Sequence, residues 1–143
     1  MEIALVTADA EIRRCFPVMV QLRTALSEEE FVRRIRQQHP DGYRLACLED
    51  GGNIMSVAGF QIGGTLSHGK RMYVDDLVTD VRHQARGYGG QLFGWLVRHA
   101  TAEGCAELHL DSGVQRFDAH RFYLKHGMHI IAHHFSLGLD RQP

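Results

Sequence analysis

The sequence predicts an α+β fold in which a central mixed, mostly antiparallel sheet is flanked by helices. Two strand-like runs, 43–48 and 54–62, are joined by a turn containing Gly51-Gly52-Asn53, which predicts an antiparallel hairpin. A third strand-like run, 72–79, leads through a glycine-rich turn into an amphipathic helix that ends at Gly104. The run 106–111 follows that helix, so a right-handed crossover should place it parallel to the third run.

The N-terminal part is predicted to form a strand and a helix. Residues 2–6 are strand-like, and the apolar residues from Ile12 to Leu22 share one helical face. Pro17 lies inside that pattern and lacks a backbone N–H, so we expect it to kink the helix or to split it near Phe16.

A second helix is predicted by a capping box. Ser27 is followed three residues later by Glu30, and the apolar face that begins there ends before Pro40. Farther along, the seven residues from Gly63 to Gly69 are rich in glycine and predict a flexible link into the 72–79 strand.

The last third of the chain is predicted to contain a helix and a strand. Residues 116–126 carry an apolar helical face, and Gly127 is placed to cap its C-terminus. Residues 128–139 are rich in apolar and β-branched side chains, which predicts a final antiparallel strand able to pair with a second subunit in a homodimer.

Composition limits the classes of protein that fit. The 143 residues suit one domain, residues 1–143, and 44% hydrophobic with 23% charged residues is typical of a soluble globular chain. A net charge of −1 argues against a general binder of nucleic acid or of anionic membranes. The three cysteines are widely spaced in apolar surroundings, and no apolar stretch reaches membrane-spanning length. We therefore expect a reduced, cytoplasmic protein without a signal peptide.

The glycine-rich turn between strand and helix predicts a phosphate site. Glycines allow close backbone approach, and the first amides of a helix lack internal partners and lie at its positive end. A dinucleotide-binding turn would need a third glycine where Leu92 stands, and a nucleoside-triphosphate loop at 64–71 fails because Arg71 replaces the required Ser or Thr. The candidate phosphate-binding residues are Gln84, Ala85, Arg86, Gly87, Tyr88, Gly89 and Gly90.

Two motifs at this spacing resemble those of the GNAT superfamily of N-acetyltransferases. The pattern Gln84-x-x-Gly87-x-Gly89, preceded by a strand ending at 75–79, is similar to the acyl-CoA-binding signature of that family. Downstream, a helix carrying Tyr123 and ending in Gly127-Met128 resembles the family's closing motif. The resemblance covers roughly residues 43–139.

That resemblance implies a cofactor cleft between two splayed parallel strands. The pantetheine arm would pair with the exposed edge of the strand at Leu77, Val78 and Thr79, as an added strand would. Arg116 stands where many relatives have a cofactor-contacting asparagine, so it is a candidate for the cofactor phosphates.

The resemblance also suggests catalytic roles. The Leu77 N–H would stabilise the developing oxyanion, and Tyr123 would protonate the departing thiolate. Asp75 and Asp76 are adjacent on the strand and should point to opposite faces, so only one of them can face the cleft. The resemblance favours Asp75 as the general base, because some relatives have an acidic residue at the matching position, two residues before Leu77; Asp76 would then be structural. The base could instead be His109, Asp111 or a water molecule.

The expected activity is acetyl transfer from acetyl-CoA to a primary amine of a small molecule or a protein, by direct attack in a ternary complex. The alternatives are a non-catalytic acyl-CoA-binding sensor or regulatory module and a ligand-free interaction domain. No metal site is predicted, because His133 and His134 on a strand would face opposite ways. No nucleic-acid or membrane partner is expected.

Overall fold

The structure is a computed structural model that describes residues 1–140. The chain divides into two compact units, Met1–Leu110 and the residues from Asp111 onward, which are described separately below. None of the helices within residues 1–140 is both long enough and apolar enough to cross a bilayer.

The first unit is a mixed five-stranded sheet with helices, which confirms the predicted α+β class. The strands follow each other in chain order across the sheet, antiparallel from the first to the fourth and parallel between the fourth and fifth. Its elements are β1 Glu2–Val6, α1 Asp9–Met19, α2 Glu28–Gln38, β2 Arg44–Asp50, β3 Asn53–Thr65, β4 Gly69–Thr79, α3 Tyr88–Ala102 and β5 Glu107–Leu110.

Each face of the sheet carries its own apolar core, because successive side chains of a strand point to opposite faces. On one face, Ile12 of α1 and Phe31 of α2 pack with Val57 of β3. On the other, Leu92 and Leu96 of α3 pack with β3 and β4. Burying each large apolar side chain contributes roughly 2 kcal/mol, so the two cores hold the helices to the sheet.

Local signals for helix starts and turns are confirmed. The Ser27 hydroxyl accepts a hydrogen bond from the Glu30 N–H at 3.1 Å, which caps α2 as predicted. Gly51 and Gly52, with φ of +58° and +82°, form the turn of the β2–β3 hairpin.

Two irregular segments differ from what the sequence suggested. Of the two outcomes expected at Pro17, a kink or a split, the split near Phe16 does not occur, because α1 continues through Pro17 to Met19. The flexible link at 63–69 is mostly strand, since β3 extends to Thr65 and β4 begins at Gly69. Only residues 66–68 form the turn.

The second unit contains helix α4, Phe117–Lys125, within one residue of the predicted helix. Gly127 has a φ of +87°, and the Met128 N–H donates to the Tyr123 carbonyl at 3.1 Å, so the predicted glycine cap is confirmed. The predicted strand at 128–139 is wrong, because these residues adopt no strand conformation. An apolar β-prone pattern becomes a strand only where a neighbour completes its hydrogen bonds.

Candidate active site

Strand β4 extends beyond its parallel partner. Pairing of β4 with β5 ends at Val74 and Leu110, whereas β4 continues to Thr79 while still paired with β3. Within the first unit, residues 75–79 therefore have a strand neighbour on one side only. The family resemblance implies an opening between parallel strands at this position.

The direction of the backbone amides narrows the candidates for cofactor pairing. The Asp80 N–H donates to the Met55 carbonyl of β3 at 2.8 Å. Because N–H groups alternate along a strand, the Val78 amide also points toward β3, whereas those of Leu77 and Thr79 point to the open edge. The geometry therefore removes the Val78 backbone from the predicted trio and keeps the other two.

A β-bulge changes the arrangement of the two acidic residues. Val74 pairs with Phe60 and Asp76 with Gly59, which leaves Asp75 as an extra residue on β4. The Gln61 amide donates to Asp75 Oδ2 at 3.2 Å. Phe60 packs against α3, so its neighbour Gln61 points to the other face of the sheet, which α1 and α2 cover. Asp75 therefore lies on the same face as Asp76, and the prediction that they point to opposite faces is wrong.

Asp76 is held by two donors that sequence reasoning did not identify. The buried Tyr43 hydroxyl donates to Asp76 Oδ2 at 2.7 Å, and Arg23 Nε donates to Asp76 Oδ1 at 2.7 Å. Burial and the nearby Asp76 carboxylate raise the pKa of Tyr43 well above its usual value, so the phenol remains a donor. Gly59, in the middle of β3, was the available sequence signal for this close approach.

A cavity of about 650 Å³ opens beside these carboxylates. Its walls come from the end of α1, the loop to α2, one face of α2 and the bulge of β4. It contains carboxylates from Asp75, Asp76 and Glu30 and guanidinium groups from Arg23 and Arg34. A cavity of this size can hold a small polar molecule.

The glycine-rich turn contains two residues in the left-handed backbone conformation. Ala85 and Gly87 adopt left-handed φ values of +67° and +85° before α3 begins at Tyr88. Gly87 supplies no side-chain cap, and the first helical hydrogen bond runs from the Gln91 N–H to the Gly87 carbonyl at 3.0 Å. The amides of residues 88–90 are therefore the unpaired first-turn donors of α3.

The turn is anchored by Asp80, the residue that follows β4. Asp80 is 1% exposed and accepts hydrogen bonds from the Arg82 backbone and guanidinium and from the Gln21 amide. Gln21 also accepts the Val81 N–H at 2.9 Å. The Arg82 guanidinium lowers the pKa of Asp80, so the carboxylate remains charged and fixes the entry to the turn.

Tyr88 contributes to the turn differently from its neighbours. Its hydroxyl donates to Asp50 Oδ2 at 2.8 Å, which directs the ring toward the β2–β3 hairpin. Its backbone amide, and not its side chain, is therefore the group available to an anion. Gln84, Ala85 and Arg86 are exposed on the turn.

His109 lies in the paired part of the sheet, opposite Tyr73. Its Nε2 is 2.6 Å from Glu107 Oε1, and Arg71 approaches its Nδ1 at 3.3 Å. These contacts set His109 apart from the open 75–79 edge.

In the second unit, Tyr123 lies in the last turn of α4. Burial raises the pKa of its phenol, while the positive charge of Arg116 acts in the opposite direction. Arg116 itself precedes α4, and its N–H donates to the Gly113 carbonyl at 3.0 Å. Asp111 Oδ2 lies 2.6 Å from His134 Nδ1, so this alternative base has a histidine partner.

The model of the acetyltransferase (GNAT) family matches residues 8–128. The chain belongs to this GNAT family. The uncharacterised N-acetyltransferase YhdJ of Bacillus subtilis is 31% identical over 118 residues, which cover 82% of this chain and 83% of YhdJ. The resemblance seen in the sequence motifs is thus confirmed.

Solved structures share the GNAT fold. A transcriptional regulator from Bacillus halodurans has a TM-score of 0.83 at 21% identity, covering 96% of this chain and 99% of its own. The glucosamine-6-phosphate N-acetyltransferase of Arabidopsis thaliana has a TM-score of 0.74 at 23% identity, covering 98% of this chain and 100% of its own. At these identities the likeness concerns the fold alone.

Proposed function

We propose that this GNAT protein transfers the acetyl group of acetyl-CoA to a primary amine by direct attack in a ternary complex. The observation that carries the proposal is the continuity of two anchoring features. The open β4 edge at Leu77 and Thr79 leads, through the Asp80 anchor, into the uncapped start of α3. An extended amide-bearing arm and its diphosphate need these two features in this order.

The residues fit the cofactor because they supply the donors that it requires. The amides of Tyr88, Gly89 and Gly90 would bind the diphosphate, with Arg86 as an added cation. Gln84, Ala85 and Gly87 would shape the turn, and Arg116 is retained as a candidate phosphate contact from the family motif.

Acetyl transfer requires a stabilised carbonyl oxygen, a proton for the thiolate and a neutral amine. In our assignment the Leu77 N–H stabilises the oxyanion, and Tyr123 protonates the sulfur. Asp75 accepts the proton that the attacking amine loses, directly or through water. Asp76 is the structural carboxylate, because Tyr43 and Arg23 both donate to it.

We place the acceptor amine in the cavity that Asp75 lines. Its carboxylates would attract an ammonium group, whereas Arg23 and Arg34 would suit an acceptor that also carries an anionic group. A small molecule or a side chain of a protein could present such an amine.

The test is release of coenzyme A thiol in the presence of acetyl-CoA and a panel of amines. We expect amine-dependent release and coenzyme A binding that Arg86→Gln weakens about fivefold, the effect of losing an exposed charge contact. Arg98→Gln is the matched control, since Arg98 is exposed on the later part of α3. Equal coenzyme A affinity in both variants would remove Arg86 from the site.

The same experiment separates catalysis from its alternative. A non-catalytic sensor or regulatory module would bind coenzyme A by calorimetry and release no thiol with any amine. A ligand-free interaction domain would show neither binding nor stabilisation, whereas ligand at 100 times its Kd should stabilise by about 2.7 kcal/mol.

A further inference from the structure

Two histidines and a glutamate meet at the end of the sheet remote from the glycine-rich turn. His68 Nδ1 lies 3.2 Å from Glu107 Oε1, and His109 Nε2 lies 2.6 Å from the same oxygen. One nitrogen from each ring and one carboxylate oxygen all lie within 4.8 Å of one another. Three potential metal ligands therefore converge on one point in the first unit.

The backbone holds these three side chains in place. Glu107 and His109 are two residues apart on β5, so they share one face of the sheet. His68 lies in the β3–β4 turn, where its N–H donates to Thr65 Oγ1 at 3.0 Å and Thr65 Oγ1 donates to the Gly69 carbonyl at 3.2 Å. The ligands come from a fixed turn and a paired strand, which keeps their ordering cost low.

The cluster is accessible from solvent on one side and supported on the other. The His109 side chain is 12% exposed, whereas His68 and Glu107 are 32% and 50% exposed. The imidazole rings of His68 and His109 are 4.6 Å apart between centroids. An ion could therefore enter past the two outer ligands and reach the inner one.

We propose that His68, Glu107 and His109 form a site for a divalent transition-metal ion such as Zn²⁺. Two imidazoles and one carboxylate are a ligand set that Zn²⁺ accepts in tetrahedral geometry with a fourth position left for water. Ligand atoms in such a site are about 3.3 Å apart, as bond lengths near 2.0 Å require. The distance from His68 Nδ1 to Glu107 Oε1 already matches this value. A small rotation of the half-exposed Glu107 side chain would lengthen the shorter distance from His109 Nε2 to Glu107 Oε1.

Binding replaces a hydrogen bond with metal bonds. For His109 Nε2 to bind the ion, the proton that it shares with Glu107 must leave this nitrogen, and the neutral ring takes the tautomer with its proton on Nδ1.

The Arg71 guanidinium opposes metal binding by His109. Its guanidinium approaches His109 Nδ1 at 3.3 Å, which favours the tautomer with the proton on Nε2, the nitrogen that the ion needs. Metal binding moves the His109 proton to Nδ1, and Arg71 must then turn away, for example toward the Tyr73 ring that it already overlies at 5.3 Å. Replacing Arg71 with glutamine would remove a positive charge and offer an acceptor for Nδ1–H.

The experiment is calorimetric titration of the untagged, metal-free full chain with Zn²⁺, together with visible absorption of the Co²⁺ form. We expect one equivalent that binds at least about tenfold more weakly in His68→Ala and in Glu107→Gln. Binding should be unchanged in His133→Ala, a control at an exposed histidine in the second unit. Arg71→Gln should bind more tightly than the wild type.

Specific outcomes would overturn the proposal. Zn²⁺ binding that is absent in the wild type, or equal in His68→Ala, Glu107→Gln and His133→Ala, would show that the cluster is only a hydrogen-bonded group. Weaker binding in Arg71→Gln would contradict the tautomer argument. These readouts do not depend on acetyl transfer, so they stand or fall separately from the proposed function.

Discussion

The hydroxyl of Tyr43 and the carboxylate of Asp76 are 2.7 Å apart, and they meet where β3 has Gly59 in place of a side chain. A Cβ added at Gly59 would lie 1.6 Å from the Tyr43 hydroxyl oxygen and 2.8 Å from Asp76 Oδ2. The missing side chain thus makes room for a hydrogen bond beside the β4 bulge. That bond fixes one of the two carboxylates next to the cavity.

Gly59→Ala should therefore destabilise the protein, because the buried Tyr43 ring has to move and its bond to Asp76 is lost. We expect a loss of about 2 kcal/mol in the free energy of unfolding, measured by urea denaturation. Gly63→Ala, later on the same strand, is the matched control, since its Cβ would meet nothing within 4 Å. Equal stability of the two variants would contradict the close approach.

The two adjacent aspartates should respond differently to the same substitution. Asp75→Asn should lower kcat by about 10²-fold with little change in stability, because it removes the proposed base and keeps an amide oxygen for Gln61. Asp76→Asn should lower the free energy of unfolding by about 2 kcal/mol, because Tyr43 and Arg23 lose a charged acceptor. Steady-state kinetics and denaturation measure both, and an unchanged kcat in Asp75→Asn would move the base elsewhere.

Tyr123→Phe tests the proposed acid. The change deletes only the hydroxyl, so we expect kcat to fall by about 10²-fold while the Kd of coenzyme A from calorimetry stays the same. Arg121→Gln, at a solvent-exposed position of α4, is the control and should leave both kcat and the Kd of coenzyme A unchanged. A full catalytic rate in Tyr123→Phe would assign the proton to another donor.

Asp80 should make stability depend on pH. Its pKa is held below the usual value, so its contribution is present above about pH 4 and is lost as the pH falls through the native pKa. We expect Asp80→Asn to be less stable by about 2 kcal/mol at pH 7, with a difference that shrinks below pH 4. Asp118→Asn is the control, because the ion pair of Asp118 with Arg121 is exposed and should change stability little. A gap of constant size from pH 7 to pH 2 would contradict this account.

Local patterns were sufficient for most elements and for the glycine-rich turn. The Ser27 N-cap, the Gly51-Gly52 hairpin and the glycine after α4 each act within a few residues, so their outcome was readable without tertiary information. The final strand failed because strand formation depends on a partner that the 128–139 segment itself cannot supply.

The same distinction between local and tertiary determinants applies to the candidate active site. The sequence by itself determined the family, the mixed sheet and the order of open strand, glycine turn and helix, because spacing and turn chemistry encode these locally. Only the tertiary structure decided that Asp75 shares a face with Asp76, that Tyr43 fills the space over Gly59, and that His68 meets β5. Bulges and contacts between distant segments arise from register and packing, which no short stretch of sequence specifies.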